Sequence, residues 1–444
     1  MKSTLSRTII LALPLMVANL VQILMGVIDA AMVGTIHSDL LAANSLVNSI
    51  VTIPFVLGMG LTMAIAPLIA AGIGKNDTKE AVDILINATI ICGIIAFLLA
   101  LALSLGADLI FYLGQDEGVA LVAKPYLKII GWSLVPMLLF LALKQFADGV
   151  EVTRLPMLLS IYTIPLNIFL NYVLIYGKWG FPRMELEGAG WATFISRVVL
   201  FLLMAVSLLK HSRLEMYFRN WKEHFRLRKG IIIKVLKIGI PSSAQYGLES
   251  WAFSVSGIMV GWISAQALAA HQIALSLAST SFVIALGLSG AGAIRIGNNY
   301  GKGDWHMVRD VGKGVIVLSM ILGVTSAIIF ISFKTSLVQL FNKETDVIAL
   351  ATTLLILAAM FQLSDAVQAV SVGILRGLQD VRIPTVFVAI AYWVIGIPAG
   401  YILAFHFDLG AKGIWIGFLL GLTASAVLLT SRFRRIVAVQ LSKK

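Results

Sequence analysis

PLMVANLVQILMGVIDAAMVG (residues 14–34) is apolar enough to lie in hydrocarbon, carries one carboxylate, Asp29, and is echoed later by PSSAQYGLESWAFSVSGIMVG (residues 241–261). Laid on itself with Pro14 on Pro241 and no gap, the chain keeps matching. MVG at 32–34 falls on MVG at 259–261, LAA at 41–43 on LAA at 268–270, Gly60 on Gly287, and GKND at 74–77 on GKGD at 301–304. One residue further on, TRLP at 153–156 meets VRIP at 381–384. Chance similarity between apolar stretches does not preserve proline, glycine and loop charges together, so the fold is an internal duplication.

Composition says what is duplicated. Of 444 residues 59% are apolar and 13% charged, and the mean hydropathy is +0.94. That is a polytopic helical membrane protein, with no stretch left over for a sizeable soluble domain. Windows of helix-spanning length give twelve spans, the first near 8–34 and the last near 411–432. The chain divides into an amino-terminal six-helix lobe (1–210), a basic linker (211–230) and a carboxyl-terminal six-helix lobe (231–444) with a basic tail. The basic start and apolar run of the N-terminus imitate a signal peptide, but the run continues to Gly34 and belongs to the repeat, so it reads as a first span.

The net charge of +12 sits in the joints. KNDTKE (75–80), the long joint at 210–230, GKGDWHMVRD (301–310) and the tail at 431–444 are basic, whereas TIHSDL (35–40) and GADLIFYLGQDEG (106–118) contain no Lys or Arg. This asymmetry places both termini in the cytoplasm and makes nucleic acid an unnecessary partner. An even number of spans per half makes the repeat parallel, about an axis along the membrane normal, an arrangement suited to alternating access between two bundles.

The polar residues inside the spans point to function. Asn19, Gln22, Gly26 and Asp29 share one face of the first span. A charged side chain in hydrocarbon costs ~3 kcal/mol even on a lenient scale, so this stripe faces a cavity or a partner. Asn167 and Asn171 lie one turn apart in the fifth span. With Asp29 and the hydroxyl of Thr193 they offer an oxygen cage for a hard cation, Na+ being the candidate. In the second half Ser242, Gln245 and Glu249 share a face continued by Ser256, and Gln362, Asp365 and Ala369 share another. Glu249 and Asp365 fall at matched depth and can hold a cation together, or a proton and a charge. Gln22, Gln245 and Gln362 are expected to line the substrate cavity. His271 has no second histidine at ligand spacing and reads as a packing residue; the single cysteine, Cys92, excludes an intrachain disulfide. None of the GK pairs is followed by Ser or Thr, so no P-loop is present, and HExxH and GxSxG are absent. An ion-driven secondary transporter, not an enzyme, fits best, with no cofactor beyond a coupling Na+ or H+.

Several of these segments, namely Pro14 through MVG to LAA, PSSAQYGLESWAF (241–253), LAAHQIA (268–274), RIGNNYGKGD (295–304) and above all FQLSDAVQAVSVGILRGLQDVRIP (361–384), resemble the MATE multidrug and toxic compound extrusion transporters, and most closely their NorM-type branch. The resemblance implies two six-helix lobes around a V-shaped cavity and export of amphipathic, often cationic drugs against inward Na+ or H+. It further implies that Asp29 is the first-span acid of the amino-terminal lobe, with Asn167, Asn171 and Thr193 as its partners, and that Glu249 and Asp365 bind cations in the carboxyl-terminal lobe. Phe361 stands where the family's aromatic contributor would be, without its hydroxyl. A monomer in the inner membrane of a prokaryotic cell is expected. The competing reading is a lipid-linked oligosaccharide flippase, which needs a cationic cavity; Arg197 in the sixth span is the one basic residue away from the span ends. Arg376 and Asp380, one turn apart and near Arg382, are candidates for an ion-paired cytoplasmic gate, or for ending the span before Pro384.

Overall fold

The structure is a computed structural model and describes residues 2–112, 114, 116–218 and 226–443. In hydrocarbon every backbone N–H and C=O must find its partner within the protein, and helices do this segment by segment. The first half contains α1 (Lys2–Gly34), α2 (Ser38–Thr62), the short α3 (Ile65–Gly74), α4 (Thr78–Leu105), α5 (Glu117–Gly149), α6 (Arg154–Tyr176) and α7 (Glu185–Lys210). A turn of helix, α8 (Glu215–Phe218), follows. The second half contains α9 (Lys229–Gly261), α10 (Ala265–Gly301), α11 (Trp305–Gln339), α12 (Thr345–Gly377), α13 (Arg382–Ala389), α14 (Ile397–Tyr401) and α15 (Ala411–Leu441). α2 with α3 forms one span and α13 with α14 another.

Among the described residues eleven helices are long and apolar enough to cross a membrane. The twelfth in this order is α9. At 33 residues it is long enough, but Ser242, Ser243, Gln245, Glu249, Ser250, Ser254 and Ser256 dilute its apolar character. A helix this polar is stable in a bilayer only with its polar face turned away from lipid.

Two compact units emerge: Val17–Ser243, and Met1–Met16 together with Ala244–Lys444. α1 and α9 are thus each cut at equivalent residues of the repeat, shortly after Pro14 and Pro241. Proline removes one backbone hydrogen bond and lets the helix bend there. The joint at 211–230 is not the border between these units, and residues 219–225 of it lie outside the described residues. In the first unit α5 is the hub, packed against α2, α4 and α7; in the second the hub is α12, packed against α10, α11 and α15.

The duplication extends to atomic detail. Asp77 caps α4 by accepting from Glu80 N at 2.9 Å, and its equivalent Asp304 caps α11 by accepting from Met307 N at 2.9 Å. Past the ends of the two hub helices, Glu151 and Gln379 both adopt φ of 61°. The last residues of the hubs are glycines in matching contacts. A Cβ on Gly149 would lie 2.9 Å from Ala66 O and 3.0 Å from Ile69 Cβ, and one on Gly377 would lie 2.6 Å from Ala293 O and 2.8 Å from Ile296 Cβ. Without a hydrophobic drive between helices in lipid, such close backbone approach is what holds them. Gly149→Ala and Gly377→Ala are each expected to destabilise the protein by about 1–3 kcal/mol. A melt that reads the exposure of the buried thiol Cys92 checks this; unchanged melting would show that the hubs are not held at these points.

Candidate cation and substrate sites

In the first unit α1, α6 and α7 bring the expected residues together. Asn171 Nδ2 donates to Asp29 Oδ1 at 2.6 Å and to Asn167 Oδ1 at 3.2 Å, while the Thr193 hydroxyl donates to Asp29 Oδ2 at 2.8 Å. Both carboxylate oxygens are therefore held by neutral donors. Asn167 is bonded to Asn171 and is the weakest of the three polar neighbours acting on the acid. Buried Asn171 Oδ1 and Asn167 Nδ2 have no partner among the described residues. A half-turn of the Asn171 amide exchanges its donor for that spare acceptor without changing its shape.

Asp29 borders a cavity of about 120 Å³ that Gln22 also lines. Arg197, which the sequence left without a place, and Tyr126, Asn44 and Asn48 add to its polar lining. Arg197 lines the same cavity and donates from Nη1 to Ser133 Oγ at 2.6 Å. Tyr126 Oη donates to Asn44 Oδ1 at 2.8 Å, and Asn48 Nδ2 to the same oxygen at 3.0 Å. The space thus holds one acid, one base and a set of amides and hydroxyls.

In the second unit Glu249 on α9 lies within electrostatic reach of Asp365 and Arg376 on α12. Glu249 accepts from Gln368 Nε2 and from the side chain of Gln245. Gln368 in turn donates to Tyr392 Oη at 3.2 Å. Asp365 accepts no side-chain hydrogen bond among the described residues. Gln362 is buried on the same helix with Nε2 unpartnered, and no bond ties it to either acid. Sequence reasoning overlooked Gln368 and Tyr392. Gln368 was visible as the residue one turn past Asp365; Tyr392 had no signal, because it reaches the site from the π-helical turn Ile390–Gly396.

The Arg376–Asp380 pair does not form. Arg376 donates from Nη2 to Tyr246 Oη at 3.3 Å and lies over that ring, whereas Asp380 accepts from Arg432 Nε at 2.9 Å. Arg376 is the deeper of the two, 4% exposed, and turns into the unit. Phe361 is buried and stacked on Trp415, with centroids 5.6 Å apart. Trp415 Nε1 donates to His271 Nδ1 at 3.1 Å, which places His271 in the packing of the core.

Against known proteins, a family model described as MatE matches residues 14–173 and 241–402, its two matches beginning at the equivalent prolines. A probable multidrug resistance protein NorM of Bradyrhizobium diazoefficiens is 33% identical over 437 residues, covering 96% of this chain and 92% of that protein. The multidrug resistance protein NorM of Photobacterium profundum is 32% identical over 431 residues, covering 96% and 94%. Among solved structures, the eukaryotic MATE transporter AtDTX14 superposes with a TM-score of 0.87 at 21% identity, covering 99% of each chain. A MATE structure in complex with MaL6 gives 0.90 at 20% identity, covering 99% and 97%.

Proposed function

The chain belongs to the MatE family, and on that premise we propose that it is a cation-coupled multidrug efflux antiporter of a bacterial inner membrane, with both termini cytoplasmic. The observation that carries this reading is Asp29, an ionisable group held inside a membrane-spanning unit by Asn171 and Thr193 beside a cavity. Such an arrangement has little value to a passive scaffold and every value to an exchanger. If ion and drug bind exclusively, each entering ion releases a drug, and the coupling is reciprocal.

Na+ is favoured as the coupling ion. With the Asn171 amide turned, Asp29, Asn167, Asn171 and Thr193 all present oxygens, the ligands a hard cation selects, whereas neutral amides are poor proton carriers. Glu249 and Asp365 form a second cation locus, where two acids against one guanidinium leave room for one more positive charge. The flippase alternative is disfavoured by the same count. Arg197 is the cation of the first cavity, but Asp29 opposes it, so a diphosphate would meet no net positive field.

Ethidium efflux from energised vesicles of a pump-deficient bacterium, with and without a sodium gradient at fixed pH, tests the proposal. Sodium-dependent efflux is expected. Efflux that follows only the pH gradient replaces Na+ by H+, and no efflux under either gradient removes the drug antiporter.

A further inference from the structure

The second unit carries an open groove of about 670 Å³ between the N-terminal stretch of α1, the first turns of α11 and the last turns of α15. Its walls are apolar, with Leu5, Val317, Met320 and Phe433 among them, and three cations line it: Arg309, Lys313 and Arg434. Arg309 is shared with its neighbour Asp310 at 3.0 Å. Lys313 and Arg434 have no acidic partner among the described residues. Lys313, Val317 and Met320 lie on one face of α11 and descend ~10 Å from the charged end into the span. Val317 and Met320 are 48% and 41% exposed.

The internal repeat supplies a control. Asp310, Lys313 and Gly314 of α11 correspond to Asp83, Ile86 and Asn87 of α4. There the protein covers the face with its own chain. Asn87 donates to Arg226 O at 3.3 Å and accepts from Arg228 N at 2.9 Å, and the Arg228 guanidinium pairs with Asp83. In the second unit the matching face is open, and an apolar residue has been replaced by lysine. A face that is sealed in one half and left open with added positive charge in the other has an occupant of opposite charge and apolar body.

We propose that this groove binds an anionic phospholipid of the leaflet on the side of the basic joints, with its phosphate on Lys313 and Arg434 and an acyl chain along Val317 and Met320. Basic pockets between spans at this level select anionic headgroups, each cation near the surface being worth roughly fivefold in affinity. The long side chains of Lys313 and Arg434 cover apolar surface with their stems while their heads reach the phosphate.

The test uses the full-length protein reconstituted from vesicles of equal parts phosphatidylglycerol and phosphatidylcholine, then extracted and weighed with its retained lipid by native mass spectrometry. Wild type is expected to keep phosphatidylglycerol over phosphatidylcholine by roughly 25-fold, and Lys313→Gln/Arg434→Gln to lose most of that preference. Val317→Trp fills the apolar arm with all charges intact and is expected to lower the retained lipid of both kinds; it keeps the test decisive should the charge variant fold poorly. Equal retention of the two lipids by wild type overturns the proposal, as does a preference unchanged in both variants. Displacement of the lipid by inorganic phosphate alone would make the groove a free-anion site, and lipid-free dimers would make it a contact between copies; either overturns it. Retention is read without transport, so its failure and a failure of the antiporter reading are separable.

Discussion

Asp29→Asn vesicles are expected to hold no ethidium gradient when sodium is the only driving force. A tenfold sodium gradient is worth about 1.4 kcal/mol, which under one-for-one exchange sustains about a tenfold drug gradient. The substitution removes the charge and keeps the shape. Asparagine at position 29 can accept from Asn171 Nδ2, now 2.6 Å from the carboxylate, and the Thr193 hydroxyl can turn to accept from the new amide. The fold should therefore survive, with a lowered melting temperature because Arg197 in the same cavity loses its counter-charge, while the accumulation ratio falls to about one. Asn171→Ala and Thr193→Ala are expected to weaken sodium dependence and leave maximal efflux, because each removes one ligand and not the charge. An Asp29→Asn protein that pumps at the normal rate would show that the coupling acid lies elsewhere, and attention would pass to Glu249 and Asp365.

The architecture was legible in the sequence because a bilayer enforces it: spans must be apolar, and a repeat in proline, glycine and loop charge survives apolar drift. α9 shows the limit of hydropathy, since its polar residues lower the signal that reveals the other spans. At the site, helical periodicity brought out the stripe with Asp29 and the spacing of Asn167 and Asn171. It could not tell which amide meets the carboxylate, a matter of how α6 is rotated against α1. Tyr126 and Ser133 lie seven residues apart on one face of α5, but Arg197 reaches Ser133 from α7, and no spacing links it to them. The proximity of Arg376 and Asp380 in sequence was misleading for the opposite reason. Side chains one turn apart can meet, but Tyr246 and Arg432 on other helices offered partners, and partner choice belongs to packing. Tyr392 arrives through a widened turn ahead of Pro398, where the proline lacks an N–H for the regular ladder.

Removing both acids of the second locus should harm the protein far more than removing either. Glu249 is 7% exposed, Asp365 6% and Arg376 4%, so two acids and one guanidinium share one buried region, which carries a net charge of one negative when both acids are ionised. Glu249→Gln or Asp365→Asn leaves one acid against one guanidinium, a neutral site, and each single variant is expected to melt within about 1 kcal/mol of wild type. The double variant leaves Arg376 without a counter-charge. Its bond to Tyr246 and its position over that ring, 5.4 Å from the centroid, offset only part of the loss. Stranding a buried charge costs about 3–5 kcal/mol, so the double variant should lose that much, well beyond the sum of the singles. Adding Arg376→Met to the double variant should return most of the stability, since the region is then uncharged. Transport should follow a different order. Each single variant already lacks the surplus negative charge that takes an additional cation, so each is expected to weaken ethidium binding as well as efflux, and the stability-rescued triple variant should transport no better. Additive melting losses, or a triple variant no more stable than the double, would show that Arg376 is balanced by something other than these two acids.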